Sequence, residues 1–192
     1  RIVGPKGTKE FFQNMLKAFK NELQGRVQWE QRPNKDGLDY EITEINSDYA
    51  YKNLNLEIIP FEVDHYPVEP AYGYQIKVSD TEKEKKVVIS GDTRKNENLI
   101  NHAMDADALV HEVFINLEFD ENRMSKKTIS NVRDYHTSPK EIGEIAKAAN
   151  VKKLILTHFV PPVFDEDFLT KEIRESYKGN LIIGEDLLTI EI

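Results

Sequence analysis

The segment from Asp134 to Pro162, DYHTSPKEIGEIAKAANVKKLILTHFVPP, constrains this chain more than any other. Ser138 is a helix N-cap, Pro139 suits the first turn, and Glu141, three residues after the serine, completes a capping box. Ile142, Ile145, Ala146 and Ala149 recur at helical spacing, and Asn150 closes the helix. Val151 to Thr157 is then a short apolar run with strand character, and His158 falls at its end. In α/β architectures ligand-binding groups gather at the carboxyl ends of strands and in the loops beyond them, so His136 and His158 both lie where sites are built.

The rest of the chain reads as a series of short elements. Gly4 to Thr8 is a turn, with Thr8 as N-cap of an amphipathic helix running to about Leu23 that carries Phe11, Phe12, Met15, Leu16 and Phe19 on one face. Arg26 to Leu54 alternates weakly and reads as strands around a turn at Pro33 to Gly37. Leu56 to Val63 is strand-like and delivers Asp64-His65, after which two prolines keep Tyr66 to Ala71 irregular. Tyr74, Ile76 and Val78 alternate as the next strand, and the polar run Ser79 to Lys86 is a solvated hairpin connection. Lys86 to Ser90 is a buried-type strand before Gly91-Asp92-Thr93, Asn98 to Met104 a short helix, and Ala108 to Val110 a strand ending in His111-Glu112. Asp165 to Tyr177 reads as a helix and Leu181 to Ile192 as a terminal hairpin. Four strands are thus expected to end on a His or Asp: His65, Asp92, His111 and His158.

Composition narrows the chemistry. With no cysteine, thiolate sites are excluded and any metal must be held by His, Asp or Glu. A net charge of −8 argues against broad attraction to nucleic acid, and no apolar run approaches the roughly 20 residues of a membrane span, so a cytoplasmic α/β domain is expected. Borderline cations such as zinc suit imidazole and carboxylate donors converging from several strand ends. Asp92, following a glycine, can offer an oxygen to each of two metals; its structural alternative is a helix cap ahead of Asn98. His102 lies in mid-helix and is read as surface or packing.

These residues carry a family resemblance. Asp64-His65, then Tyr72-Gly73-Tyr74, Ile89-Ser90-Gly91-Asp92-Thr93-Arg94, His111-Glu112-Val113-Phe114, Tyr135-His136-Thr137-Ser138-Pro139 and Leu156-Thr157-His158-Phe159 resemble, in order and spacing, the later motifs of the metallo-β-lactamase superfamily, nearest its ribonuclease Z-like branch. The resemblance implies an αββα sandwich, here lacking its N-terminal strands, as a single, N-terminally incomplete domain over residues 1–192. It implies that His65 binds one metal, Asp92 bridges two and His158 binds the second, with zinc expected and manganese or iron as alternatives. His136 matches the histidine of a His-Ser-Thr motif that acts as general acid, and Glu112 the glutamate that orients it. The signature His-x-His-x-Asp-His is absent, and Arg1 opens on what reads as a strand already running, so an upstream portion is expected. This fragment alone is expected to be inactive and to associate as a homodimer or with a companion N-terminal fragment.

The implied activity is hydrolysis of a phosphodiester or related ester by water activated between two metals. Ribonuclease Z enzymes carry a long basic arm between the motifs of His65 and Asp92, whereas only Tyr66 to Gly91 lies there in this chain. Together with the acidic balance this favours a small phosphodiester over precursor tRNA. Arylsulfatase or lactonase activity, or a metal-free scaffold role, are the other readings.

Overall fold

The computed structural model describes residues 1–31, 39–46, 49–79, 83–115 and 124–192. Two compact units divide the chain, Arg1–Asp48 and Tyr49–Ile192. In the first, β1 (Ile2–Pro5) pairs in parallel with β2 (Ile42–Ile45), and α1 (Thr8–Ala18) and α2 (Lys20–Trp29) lie between them in sequence. The single helix expected to about Leu23 is instead interrupted at Phe19, where the apolar face of α1 ends. Its cap is Gly7, at φ 99°, because the Thr8 hydroxyl turns back to the carbonyl of Pro5 at 2.6 Å. Residues 26–29, expected in a strand, are helical, supported by i,i+4 ion pairs of Arg26 with Glu22 and Glu30. The expected turn at 33–37 lies outside the described residues.

The second unit is built on a seven-stranded sheet in sequence order: β3 (Tyr51–Asn53), β4 (Leu56–Glu62), β5 (Tyr72–Ser79), β6 (Glu84–Ile89), β7 (Ala108–Phe114), β8 (Lys153–Val160) and β9 (Asn180–Ile183). The first four pair antiparallel, and β6 to β9 pair parallel. The parallel crossovers carry helices, as they must: α3 (Glu97–Ala103), then α4 (Lys126–Asp134) with α5 (Pro139–Ala148), then α6 (Glu166–Arg174). Two antiparallel steps separate β4 from β6, so β4 runs with the parallel set. The carboxyl ends of β4, β6, β7 and β8 therefore share one edge of the sheet.

This is the mixed α/β architecture the sequence implied, with differences in detail. The capping box at Ser138 and Glu141 is formed and Pro139 opens α5, while Asn150 takes the left-handed conformation, φ 52°, just past its end. Strand β7 runs to Phe114 rather than Val110, so His111 and Glu112 lie within it. Strand β8 likewise runs to Val160, with His158 inside it rather than after it. The terminal hairpin is replaced by β9, a parallel edge strand beside β8; among the described residues no strand follows it. Leu181 to Ile183 gain more by lying along β8 than a two-stranded ribbon would give. Among the described residues no helix is long and apolar enough to cross a membrane.

The core gathers α3, α5 and α6 onto the sheet through Leu99, Ile142, Ile145, Leu154, Leu156, Leu169 and Ile173, with Val88, Leu109 and Val113 from the central strands. Close approach of α5 to α6 depends on Gly143, where an added Cβ would meet the backbone oxygen of Ile173 at 2.6 Å. Alanine is worth about 1 kcal/mol more than glycine inside a helix, but this clash falls on backbone that cannot swing aside. The overpacking cost of about 1–3 kcal/mol wins. Gly143→Ala is thus expected to lower stability in denaturant unfolding; a rise would show that the two helices separate freely.

Candidate active site

Of the residues singled out from sequence, His65, Asp92, Glu112, His136 and His158 come together at the carboxyl edge of the sheet, by different routes, and His111 lies buried within β7. Asp92 follows β6 through Gly91, which sits at φ 62° and where an added Cβ would meet the Tyr72 carbonyl oxygen at 2.6 Å, leaving no room for a side chain. Helix α3 is capped by Asn96, whose side chain accepts from Leu99 N, so Asp92 is not a cap. His158 sits on a bulge of β8: Leu156 pairs with His111 and Phe159 with Val113, so Thr157 and His158 together oppose Glu112. Its backbone is left-handed, φ 46°, a costly state for a side chain with a Cβ. His158 Nδ1 lies 3.4 Å from Asp92 Oδ1.

His136 precedes α5 and is buried, with Nδ1 3.1 Å from Oε2 of Glu112. Neither atom has a well-angled hydrogen-bond partner among the described residues, so the two are in close contact without a formed hydrogen bond. The other oxygen of Glu112 is fully used: Oε1 accepts the backbone N–H of Thr137 at 2.9 Å and of Thr93 at 3.4 Å. Thr137 Oγ1 also donates to the Thr93 carbonyl at 2.5 Å. Thr93 and Thr137 were not singled out from sequence; their only signal is that each follows a motif residue, Asp92 or His136.

One donor atom each from Asp92, His136 and His158 lies within 4.8 Å of those of the other two. Ligands about 2.0–2.2 Å from a common cation lie at most about 4 Å apart, so a small side-chain adjustment completes such a cluster. His65 is adjacent but outside this group, its ring centroid 5.3 Å from that of His136. Nδ1 of His65 donates to the Tyr135 carbonyl at 2.9 Å, which leaves Nε2 as the nitrogen with a free lone pair. The site is graded in exposure: the Asp92 and His158 side chains are 38% and 51% accessible, those of Glu112 and His136 1% and 5%. Asp92 and His158 thus stand on the wet side of the group, and Glu112 and His136 on the dry side.

The two other histidines do different work. His102 stacks on Phe61 at 4.1 Å, which is the packing role expected, and burial lowers its pKa. His111 is wholly buried, with Nδ1 donating to the Glu112 carbonyl at 2.6 Å and no partner at Nε2 among the described residues. Burial holds its pKa below the ordinary value against the pull of Glu112.

Residues 12–159 match a family model described as a beta-lactamase superfamily domain. The ribonuclease Z of Mycobacterium bovis is 30% identical over 194 residues, covering 100% of this chain and 66% of its own length. That of Mycolicibacterium gilvum is 32% identical over 197 residues, covering 100% and 65%. The chain thus spans about two thirds of the relatives it matches. The crystal structure of a diphosphatase from the PhnP family superposes with a TM-score of 0.61 over 99% of this chain and 57% of that one, at 14% identity, a likeness of fold.

A buried histidine held neutral gives a pH dependence. The unfolded chain takes up a proton at His111 near pH 6.5 while the folded chain does so only at lower pH, so stability is full above that pH and falls as pH drops through it. The slope approaches about 1.4 kcal/mol per pH unit per proton. Chemical unfolding between pH 7 and pH 5 should show this loss, and His111→Leu should flatten it; an equal slope in the variant would place the proton elsewhere.

Proposed function

Because the chain belongs to the β-lactamase superfamily, we propose that it is part of a metal-dependent hydrolase of phosphodiesters. The observation that carries this reading is the convergence of Asp92, His136 and His158 at one sheet edge beside the buried Glu112. The donors fit a cation: imidazole nitrogen and carboxylate oxygen suit zinc first, and manganese or iron as well. In this reading Asp92, His158 and His65, the last in its ligating tautomer, hold metal. Bound cations of this kind acidify water and polarise the ester oxygen under attack.

The chain's own residues supply the rest. Two backbone N–H groups fix Glu112, and its other oxygen faces Nδ1 of His136 at 3.1 Å, which places the carboxylate to orient the ring. Nε2 of His136 is then the atom that delivers a proton to the leaving oxygen or steadies charge developing on the phosphoryl group. Burial of the pair strengthens both effects by excluding water. A second reading has its own support: His136, not His65, shares the cluster with Asp92 and His158, and a carboxylate behind a histidine is the usual support of a metal ligand.

With His136 included, four donors make less than two full coordination shells. We place the remaining ligands, the His-x-His-x-Asp-His set among them, in sequence beyond these 192 residues, which then form one portion of a single domain. The relatives' name, ribonuclease Z, supports RNA phosphodiesters as substrate, and the net charge of −8 supports a small phosphodiester.

Full-length protein loaded with zinc should cleave an RNA transcript and a nitrophenyl phosphodiester, and a chelator should abolish both; faster turnover of a nitrophenyl sulfate or a lactone would overturn the phosphodiester assignment. His136→Ala should lower kcat about 10²-fold or more with metal content unchanged. Loss of bound metal in the same variant, measured by elemental analysis, would assign His136 as a ligand instead.

A further inference from the structure

Arg94 lies two residues after Asp92, and its guanidinium is engaged on two sides. Nη1 donates to Oδ1 of Asp64 at 2.7 Å, and Nη2 donates to Oδ2 of Asp134 at 2.8 Å. Asp64 immediately precedes His65, and Asp134 lies two residues before His136. One side chain thus touches three segments, each carrying a member of the site. Main-chain contacts run alongside: Arg94 N donates to the Asp64 carbonyl at 2.8 Å, and Thr93 Oγ1 to the same oxygen at 3.2 Å.

Two other roles are open to an arginine at this place. A receptor for an anionic substrate would carry net positive charge, but two carboxylates against one guanidinium leave the cluster at −1. A surface ion pair would leave both partners solvated, as most such pairs are, yet the Arg94 side chain is 24% accessible against 53% and 75% for Asp64 and Asp134. What remains is its shape: a planar fork that engages a carboxylate with each terminal nitrogen holds them at a set separation, which an ammonium on a flexible stem does not.

We propose that Arg94 is a positioning residue whose guanidinium sets the mutual spacing of the segments bearing His65, Asp92 and His136, and through it the affinity of the site for metal. The proposal rests on the metal-centre reading above. It predicts that Arg94 acts on the site far more than on the fold, since both of its carboxylate partners stay more than half exposed and such partners add little to stability.

The test uses the full-length protein and cobalt(II) as probe, titrated by calorimetry into the wild type, Arg94→Met, Arg94→Lys, Asp134→Asn and His158→Ala. Arg94→Met and Arg94→Lys should each bind cobalt about 10- to 100-fold more weakly, and Asp134→Asn should fall between them and the wild type. Thermal midpoints of the Arg94 variants should move by less than about 4 °C. Amide exchange of the metal-free protein should quicken in residues 63–66, 91–96 and 134–138 of Arg94→Met and stay unchanged in 153–156. Wild-type affinity in Arg94→Lys would show that charge alone suffices and overturn the proposal, as would unchanged exchange in Arg94→Met. If His158→Ala binds cobalt as the wild type does, the metal-centre reading itself fails, and amide exchange still decides whether Arg94 clamps the three segments.

Discussion

The arrangement depends on a carboxylate taken out of water. Glu112 is 1% accessible, and an ionised carboxylate so placed costs several kcal/mol or more unless it is paired and hydrogen-bonded. One oxygen offsets part of that cost by accepting the amides of Thr93 and Thr137, and the other faces His136. Those amides belong to the segment after β6 and the segment before α5, which present Asp92 and His136. Satisfying Glu112 and assembling the site are therefore one event. Ser90 joins the same system, its hydroxyl accepting from Glu112 N at 3.2 Å and donating to the Gly91 carbonyl at 2.6 Å.

The sheet supplies the rest of the geometry. Parallel strands β6, β7 and β8, with β4 running the same way, bring four carboxyl ends to one edge, where α/β sheets commonly bind ligands. The bulge in β8 then turns His158 out of strict alternation toward Asp92, and positive φ at His158 is part of that turn. Packing of α3, α5 and α6 keeps the edge rigid, because their apolar side chains share one core with β6, β7 and β8.

What could be seen from the sequence was local. The capping box at Ser138 is visible because its partners lie three residues apart, and α5 is visible because Ile142, Ile145 and Ala146 keep helical spacing. Asp92, His111 and His158 stand out because each ends or interrupts an apolar run. What could not be seen depends on distant partners. The length of β7 is set by pairing of Val113 and Phe114 with Phe159 and Val160, some 46 residues away, and the bulge at His158 has no glycine to announce it. Helix α4 went unread although Ser125 caps it, because Lys126 and Lys127 follow the cap and only Ile129 of its residues is buried. The split of roles among the histidines was likewise not local: His65 is fixed by a carbonyl 70 positions on, and His111, read as one of four site-edge residues, is core. Motif order named the participants, and the contacts of Glu112 and Asp92 arrange them.

We propose above all that Asp92 and His158, with His65 or His136 beside them, hold a cation. Crystals of the full-length protein grown with zinc, measured on either side of the zinc absorption edge, test it directly. The account predicts an anomalous peak about 2.0–2.2 Å from a carboxylate oxygen of Asp92 and a ring nitrogen of His158. Well-ordered side chains at both positions with no peak between them would contradict it.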